Sequence, residues 1–196
     1  MRKSLMLLAA VALLSLPAAA ETFNVDSSHS GVNFTIRHLV SKTPGKFDKF
    51  SGTIDLNKAN MEASSVAFEI ETASINTGNA DRDNHLKSPD FFDAEKCPKI
   101  TFKSSKIAKG QGETYNVTGN LNMHCTEKEI TLPVTFLGTM AGMRGNTVAG
   151  FETAVTLNRK DFGITWNRAL DQGGMVLSDE VWVTINLETG TPPPAK

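Results

Sequence analysis

The sequence predicts an all-β protein, an eight-stranded antiparallel β-barrel with one short helical segment near residues 80–94. Two observations carry this prediction. Apolar and polar residues alternate with a period of two over eight segments, and Gly-rich joints of hairpin length lie at residues 108–113 and 142–146. Successive side chains of a strand face opposite sides, so each segment has one apolar face and one polar face. Such antiparallel strands either stack as a sandwich or close into a barrel, and we favour the barrel over the sandwich.

The first strand segment, residues 31–39, shows the alternation clearly, because Val32, Phe34 and Ile36 share one face. Gly52, inside the second segment, indicates a bulge or a bend of the kind that curves a strand for closure. Eight strands close a barrel just wide enough to be filled by side chains or to hold one slim ligand. The other seven segments are residues 46–56, 64–72, 99–107, 115–124, 129–138, 150–158 and 179–188.

The N-terminal residues predict a cleavable secretory signal. Arg2 and Lys3 precede a short apolar run, and small residues follow at Ala18, Ala19 and Ala20. The run is too short to span a bilayer as an anchor, so we expect an exported, periplasmic protein. The expected organisation is a signal peptide at residues 1–20, one barrel domain at residues 21–190 and a flexible, proline-rich C-terminal tail at residues 191–196.

The charge balance argues against two classes of partner. The chain has 20 Lys+Arg and 21 Asp+Glu, and two of its basic residues belong to the expected signal. A protein without a basic excess or a basic block is poorly suited to neutralise nucleic-acid phosphates or to hold an anionic membrane surface. No long apolar stretch follows the signal. We therefore expect neither nucleic-acid binding nor stable membrane insertion.

The common catalytic and metal-binding motifs are missing from the sequence. It contains no GxSxG, no HExxH, no phosphate-binding Gly-rich loop and no CxxC. Its histidines, His29, His38, His85 and His124, are scattered without a ligand spacing. We therefore assign no catalytic residue and no metal ligand, and we expect a protein that is not an enzyme.

The segment RDNHLKSPDFFDAEKCPKITF, residues 82–102, interrupts the alternation and is the best candidate for a functional site. Asp81 can cap a helical turn that begins there. A short helix between two strands would lie across one end of the barrel, with its polar residues at the mouth and its apolar residues turned inward. In the alternative interpretation the charged residues form local ion pairs and the phenylalanines plug the barrel. The polar set is Arg82, Asp83 and His85, and the apolar set is Leu86, Phe91 and Phe92.

Several long motifs in fixed order resemble the YceI-like family of polyisoprenoid-binding periplasmic proteins. They are DSSHSGVNFTIRHL, GKFDKFSGTID, ASINTGNADRDNHLKSPDFFDAEKCPKITFKS, GNLNMHCTEKEITLPV, NRKDFGITWN and DEVWVTINLE, and together they span nearly the whole mature chain. The resemblance implies a lipocalin-like barrel whose interior holds a long-chain amphiphile. It also implies a binding or carrier protein that requires no cofactor beyond the bound lipid.

With this resemblance, the candidate site residues fall into two groups. The head group would meet Arg82, Asp83, His85 or Arg159, because a phosphate favours arginine and an amide or quinone needs only a donor such as His85. Phe162 and Trp166, beside Gly163, are expected at the tail or its entrance, and the alternative is that both belong to an outer packing cluster. One continuous apolar tunnel would be lined by Phe34, Ile36, Phe68, Ile70, Leu86, Phe91, Phe92, Phe102, Leu121, Leu132, Val134, Phe136, Val155, Phe162, Trp166, Val183 and Ile185.

Several questions stay open at this level. Isoprenoid, quinone, prenyl phosphate and fatty amphiphile ligands all fit an apolar tunnel, and a homodimer is also open. An enzyme that acts on such a lipid, or a packed barrel that serves as a stress or interaction module, are the competing hypotheses. Cys97 and Cys125 suggest a disulfide in an oxidising compartment, but their alternation phases disagree, so the bridge is undecided. The family commonly has an aromatic residue and a glycine at these two positions.

Overall fold

The computed structural model describes residues 20–143, 145–171 and 173–193. The expected signal peptide, apart from Ala20, lies outside the described residues, and so does the end of the expected tail, residues 194–196.

The described chain is built almost entirely of strands. One α-helix, α1, spans Ala80–Lys87, and short 3-10 helices span Met61–Ala63, Thr72–Ser74 and Arg159–Phe162. The strands are β1 (Glu21–Val25), β2 (Gly31–His38), β3 (Ser41–Phe47), β4 (Phe50–Leu56), β5 (Ser65–Glu71), β6 (Ile75–Asn76), β7 (Lys99–Lys109), β8 (Thr114–Met123), β9 (Thr126–Ala141), β10 (Thr147–Asn158) and β11 (Leu177–Gly190).

Eight strands close into an antiparallel barrel, which confirms the fold predicted from the alternation. The ring runs β1-β4-β5-β7-β8-β9-β10-β11 and closes where β11 pairs with β1. Strands β2, β3 and β6 continue from β11 as a branch of the same sheet, so β1 and β2 share β11 as a partner. We call the end that carries α1 and the start of β11 the upper end, and the opposite end the lower end.

The barrel curves at positions that the sequence did not indicate. Register shifts occur between Ser104 and Lys106, between Gly150 and Phe151, and along β11 where it pairs with β2. The expected irregularity at Gly52 is wrong, because β4 pairs with β5 in regular register through this residue. A Cβ atom at Gly52 would lie 2.6 Å from the ring of Phe68, so the glycine makes room for an inward aromatic ring.

The core divides into two clusters along the barrel axis. The lower cluster packs Phe23 of β1 against Ile54, Leu56, Ala149 and Phe151. The upper cluster is larger and includes buried side chains from β2, β3, β5, β7 and β8 together with Phe162. Among the described residues, no helix is long and apolar enough to cross a membrane.

Candidate functional site

The main candidate site is an apolar cavity of about 380 Å³ in the upper half of the barrel. Its volume is within the range of small-molecule binding sites. The inward residues of β2, β3, β5, β7, β8, β9, β10 and β11 form its wall, and α1 with the segments around Phe91 and Trp166 covers it. The predicted residues in this wall are Phe34, Ile36, Phe68, Ile70, Arg82, His85, Leu86, Phe91, Phe92, Phe102, Leu121, Leu132, Val155, Arg159, Trp166, Val183 and Ile185.

A second cavity, of about 110 Å³, occupies the lower half. Val134 and Phe136, which were expected in the same tunnel, line this lower cavity instead. Four side chains contribute to both walls, namely Phe68, Phe102, Leu132 and Ile185. The expected single continuous tunnel is therefore two compartments that meet at these four residues.

Helix α1 begins at Ala80, where the sequence placed the start of the helical segment, but its capping residue differs. Its N-cap is Asn79, whose side chain accepts a hydrogen bond from the backbone N–H of Arg82, so the expected cap at Asp81 is corrected. The Asp83 carboxylate accepts hydrogen bonds from the backbone N–H of Thr77, at 2.8 Å, and from its hydroxyl, at 2.6 Å. Asp83 does not line either cavity, because these bonds hold its carboxylate against the loop before the helix.

Arg82 also donates hydrogen bonds to this loop, but one edge of its guanidinium is left for a ligand. Its Nε donates to the Thr77 hydroxyl at 2.7 Å, and its Nη2 donates to the Thr77 carbonyl at 3.0 Å. The guanidinium is exposed and lines the upper cavity. Within the described part of the chain its Nη1 has no hydrogen-bond partner, so two N–H groups are available to a ligand.

Three rings lie together at the upper end of the cavity. The His85 ring meets Phe91 and Trp166 edge-on, each at a centroid distance of 5.0 Å, and Phe91 lies 5.1 Å from Trp166. His85 Nε2 lies 2.9 Å from a carboxylate oxygen of Asp90, so it donates this hydrogen bond. The ring cluster thus presents an apolar surface to the cavity while the histidine keeps its polar edge toward Asp90.

Arg159 has a supporting position rather than an open one. The residue is only 4% exposed. Its Nε donates to the Ser178 carbonyl at 3.0 Å, and its Nη1 donates to the Ile164 and Trp166 carbonyls at 2.8 Å each. Burial lowers the pKa of Arg159 from its ordinary value, and Asp179 at 3.5 Å opposes that shift. Most of its donors are therefore engaged in holding the segment that carries Trp166.

Phe162 lies outside the lining of both cavities, although the sequence suggested a contact with the tail. It is 1% exposed and packs in the upper core cluster. Its carbonyl accepts a hydrogen bond from Nδ1 of His124, which places the 3-10 helix against the β8–β9 turn. The ring is therefore covered by protein and packs in the same core cluster as residues that line the upper cavity.

A disulfide joins Cys97 to Cys125 beneath the helical cover. It links the segment that leads into β7 with the turn between β8 and β9. Cys97 is buried, and its carbonyl accepts a hydrogen bond from the Thr72 hydroxyl at 2.8 Å. This crosslink fastens the chain that follows the α1 segment to the barrel rim.

Several cavity residues were missing from the sequence-based set. Thr153, in the lower wall, is in phase with Phe151 and Val155 and was recognisable from the alternation alone. Val176 and Ile164 lie in irregular segments, where no period indicates which side chain turns inward. The additional upper-wall residues include Val32, Thr43, Phe47, Thr77, Ile100, Met123, Ile130, Leu157, Ile164, Val176 and Val181.

Comparison with known proteins places this barrel in a family. The model of the YceI-like domain matches residues 23–189. A UPF0312 protein of Vibrio cholerae is 37% identical over 170 residues, an alignment that covers 84% of this chain and 89% of that protein. The crystal structure of Burkholderia cenocepacia BcnA superposes with a TM-score of 0.74 at 29% identity, over 84% of this chain and 98% of that one.

A polyisoprenoid-binding domain from Saccharophagus degradans has the same fold at greater distance. Its TM-score is 0.63 at 18% identity, over 88% of this chain and 99% of that one. With a family model that covers nearly the whole barrel and a close relative over most of its length, the chain belongs to the YceI-like domain family.

Proposed function

We propose that this protein is a periplasmic binding or carrier protein that holds a long-chain isoprenoid-like lipid or a related amphiphile in its barrel. The observation that carries the proposal is the upper cavity, which has mostly apolar walls and has the charged side chains Arg82 and Arg159 at its upper end. The name of the Saccharophagus degradans domain, which describes polyisoprenoid binding, supports the ligand class. The expected signal peptide supports the location.

The energetics favour a ligand with a long apolar chain. Each buried CH₂ group contributes about 0.8 kcal/mol, so a long tail supplies on the order of ten kcal/mol before the costs of ordering it. Contacts between hydrocarbons discriminate poorly among tails of similar width. Tail burial therefore sets the affinity, and the polar end selects the head group.

Arg82 and His85 are the best-placed residues to select that head group. Arg82 offers the free edge of its guanidinium to a phosphate or carboxylate. His85 lies near the same end, and because its Nε2 donates to Asp90 it offers a quinone or an amide its ring surface and not this donor. Arg159 is less suited, because its Nε and Nη1 groups already donate to backbone carbonyls.

A tunnel-blocking substitution tests the proposal directly. Val183→Trp fills the upper cavity and should reduce the lipid that co-purifies with the protein, at a stability cost of about 1–3 kcal/mol from overpacking. Thr184→Trp is the matched control, because Thr184 is the next residue of the same strand and its side chain is exposed on the outer face. Lipid is extracted from each purified variant and counted per protein by mass spectrometry. Equal occupancy in folded Val183→Trp and Thr184→Trp would contradict the proposal.

The same experiment separates the competing functions. Arg82→Ala and His85→Ala should alter head-group selection while leaving tail burial largely intact, since exposed polar contacts orient a ligand more than they hold it. An enzyme would convert a prenyl phosphate or a lipid ester, and His85→Ala would abolish the product. A packed barrel would return no stoichiometric lipid on extraction of the native protein.

Trp166 provides an optical test of the cavity. Its ring lines the upper cavity, whereas Trp182, the other tryptophan, lies on the outer face under Lys42. Trp182→Phe therefore leaves a single reporter next to the ligand. We expect its fluorescence and its quenching by acrylamide to change when an isoprenoid is added. Unchanged emission in a sample whose ligand occupancy is established would remove Trp166 from the binding site.

A further inference from the structure

Thr153 lies at the boundary between the two cavities. Along β10, Phe151 and Thr153 line the lower cavity, and Val155, Leu157 and Arg159 line the upper one. In the sheet Thr153 pairs with Val134 on one side and with Ile185 on the other. Ile185 belongs to both walls. A ligand that extends from one compartment into the other would therefore contact the side chain of Thr153.

The hydroxyl of Thr153 is unusual because it is buried without a hydrogen bond. Among the buried side-chain nitrogen and oxygen atoms of the described residues, Thr153 Oγ1 is the one that has no partner. Other buried threonines are satisfied, since the hydroxyl of Thr72 donates to the carbonyl of Cys97 and that of Thr189 donates to the carbonyl of Ala149. A buried hydroxyl without a partner destabilises a fold, and valine would fill the same volume without that penalty.

The surrounding wall cannot supply the missing partner. Val134, Phe136 and Leu187 make the neighbouring lining apolar. No hydrogen bond joins Thr153 to the other polar residues of this lining: the Tyr115 hydroxyl accepts from Lys109, the Ser64 hydroxyl accepts from the backbone N–H of Asn57, and Glu152 is exposed. One rotation about the Cα–Cβ bond exchanges the hydroxyl of a threonine with its methyl group. The hydroxyl can thus turn from the wall toward the cavity when a partner arrives there.

We propose that Thr153 binds a polar group carried far down the chain of the ligand, so that the physiological ligand is an amphiphile with a second polar end. This inference rests on the proposed lipid-binding function and narrows its ligand class. The group is a hydroxyl, a carbonyl or an amide, since each can form a hydrogen bond with a threonine hydroxyl. A plain hydrocarbon tail would leave Thr153 unpaired.

The length of β10 gives the distance between Thr153 and the upper end of the cavity, which Arg82 also lines. Arg159, at that end, directly follows β10 and is six residues from Thr153. At a rise of roughly 3.3 Å per residue they are separated by about 20 Å along the strand. A chain of about sixteen carbons spans a distance of this order.

The test compares three fatty acids on delipidated protein by titration calorimetry. The probes are hexadecanoic acid, ω-hydroxyhexadecanoic acid and α-hydroxyhexadecanoic acid. The preference for the ω-hydroxy acid is the ratio of the Kd of hexadecanoic acid to that of the ω-hydroxy acid. We expect this ratio to be about tenfold larger in the native protein than in Thr153→Val, because the variant loses one buried hydrogen bond. The α-hydroxy acid, whose hydroxyl stays near the head group, should show no such dependence on Thr153.

Two further variants keep the test specific. Thr153→Ser retains a hydroxyl and should retain the preference, whereas Thr43→Val removes a threonine hydroxyl from the upper wall and should leave the preference unchanged. An identical preference in native protein and Thr153→Val, with hexadecanoic acid still bound, would overturn this inference and leave the proposed function intact. Failure of the native protein to bind any of the three acids would also overturn this inference, whereas the proposed function is tested separately by the lipid extracted from native protein and Val183→Trp.

Discussion

At the scale of single residues, Asp26 and His29 in the β1–β2 loop form a pair in which each shifts the pKa of the other. His29 Nδ1 donates to Asp26 at 2.9 Å, and the Asp26 carboxylate also accepts from the Ser28 hydroxyl and backbone. The hydrogen bonds from Ser28, followed by that from His29, lower the pKa of Asp26 to about 2. The bond to Asp26 raises the pKa of His29 above its ordinary value of 6.5, and Glu188 adds to this effect.

These shifts predict a measurable pH dependence. The contribution of His29 to the free energy of unfolding is complete below pH 6.5 and is lost as the pH rises through its raised pKa. The contribution of Asp26 is lost as the pH falls toward its lowered pKa of about 2. Both side chains are exposed, so we expect only a small effect on stability. NMR titration of the His29 ring should give a pKa above 6.5 that returns toward 6.5 in Asp26→Asn. A native His29 pKa at or below 6.5 would contradict the pairing.

The β8–β9 turn shows why single residues are hard to place from a pattern. His124 and Cys125 both have positive φ angles, of 53° and 54°. This is the conformation of a two-residue hairpin turn, and it favours glycine over cysteine at position 125. The alternation counted Cys125 as an inward residue of a straight strand. Because the turn begins one residue earlier, its phase relation to Cys97 could not be derived from the sequence.

At the scale of elements, Arg159 connects three separate parts of the upper end. Its guanidinium binds carbonyls of the segment 164–166 and of β11, and its own backbone begins the 3-10 helix that ends in Phe162. The ring of Trp166 reaches the cavity because its backbone is fixed in this way. A change in Arg159 should therefore act on the ring cluster through the backbone of this segment.

This linkage predicts the effect of two neighbouring substitutions. Arg159→Ala leaves the carbonyls of Ser178, Ile164 and Trp166 without their donor, and should lower the free energy of unfolding by about 3 kcal/mol. Lys160→Ala removes only an exposed ion pair with Asp179 and should cost less than about 1 kcal/mol. Urea denaturation of both variants measures the difference. Equal losses would show that Arg159 does not hold the segment together.

The sequence predicted the elements of the site better than their hydrogen bonds. Residues 80–94 were expected to form a helical cover with Leu86, Phe91 and Phe92 turned inward, and the structure places all three in the cavity wall. The role of Asp83 could not be predicted, because its partner Thr77 lies before the helix in a segment without periodicity. The supporting role of Arg159 depends on carbonyls from distant segments, and no local pattern records such contacts.

At the scale of the whole molecule, the barrel is closed by its shortest ring strand. β1 meets β11 through the pairs Asn24–Gly190 and Val25–Thr189, and it meets β4 along most of its length. The side chain of Phe23 points from this strand into the lower core and is 0% exposed. Packing of one aromatic ring thus contributes strongly to closure.

Phe23→Ala tests that contribution. Loss of this buried ring should lower the free energy of unfolding by about 3–5 kcal/mol. Asn24→Ala, which changes an exposed residue of the same strand, should lie within about 0.5 kcal/mol of the native protein. Thermal or urea denaturation followed by circular dichroism gives both values. A loss below 1 kcal/mol for Phe23→Ala would mean that the barrel closes without help from β1.

The alternation predicted eight strands and their closure, but it did not predict how the closure is made. The five residues of β1 show too few alternations to be recognised, and β6 has only two residues. Residues 46–56 were taken as one strand, whereas the structure divides them between the end of β3 and β4. Short strands are defined by their partners across the sheet, and those partners lie far away in the chain.

The pairing of β1 with β11 also sets the order of events during folding. Asn24 can meet Gly190 only after the entire intervening chain is available, and contacts this distant in sequence form slowly. The strands from β7 to β11 pair with neighbours in sequence, so we expect them to assemble first. Until β1 pairs, they form an open, curved sheet whose apolar face is uncovered. A lipid already present at that stage would serve as a template for closure. The rate of refolding should then depend on ligand concentration, with the first strand arriving last.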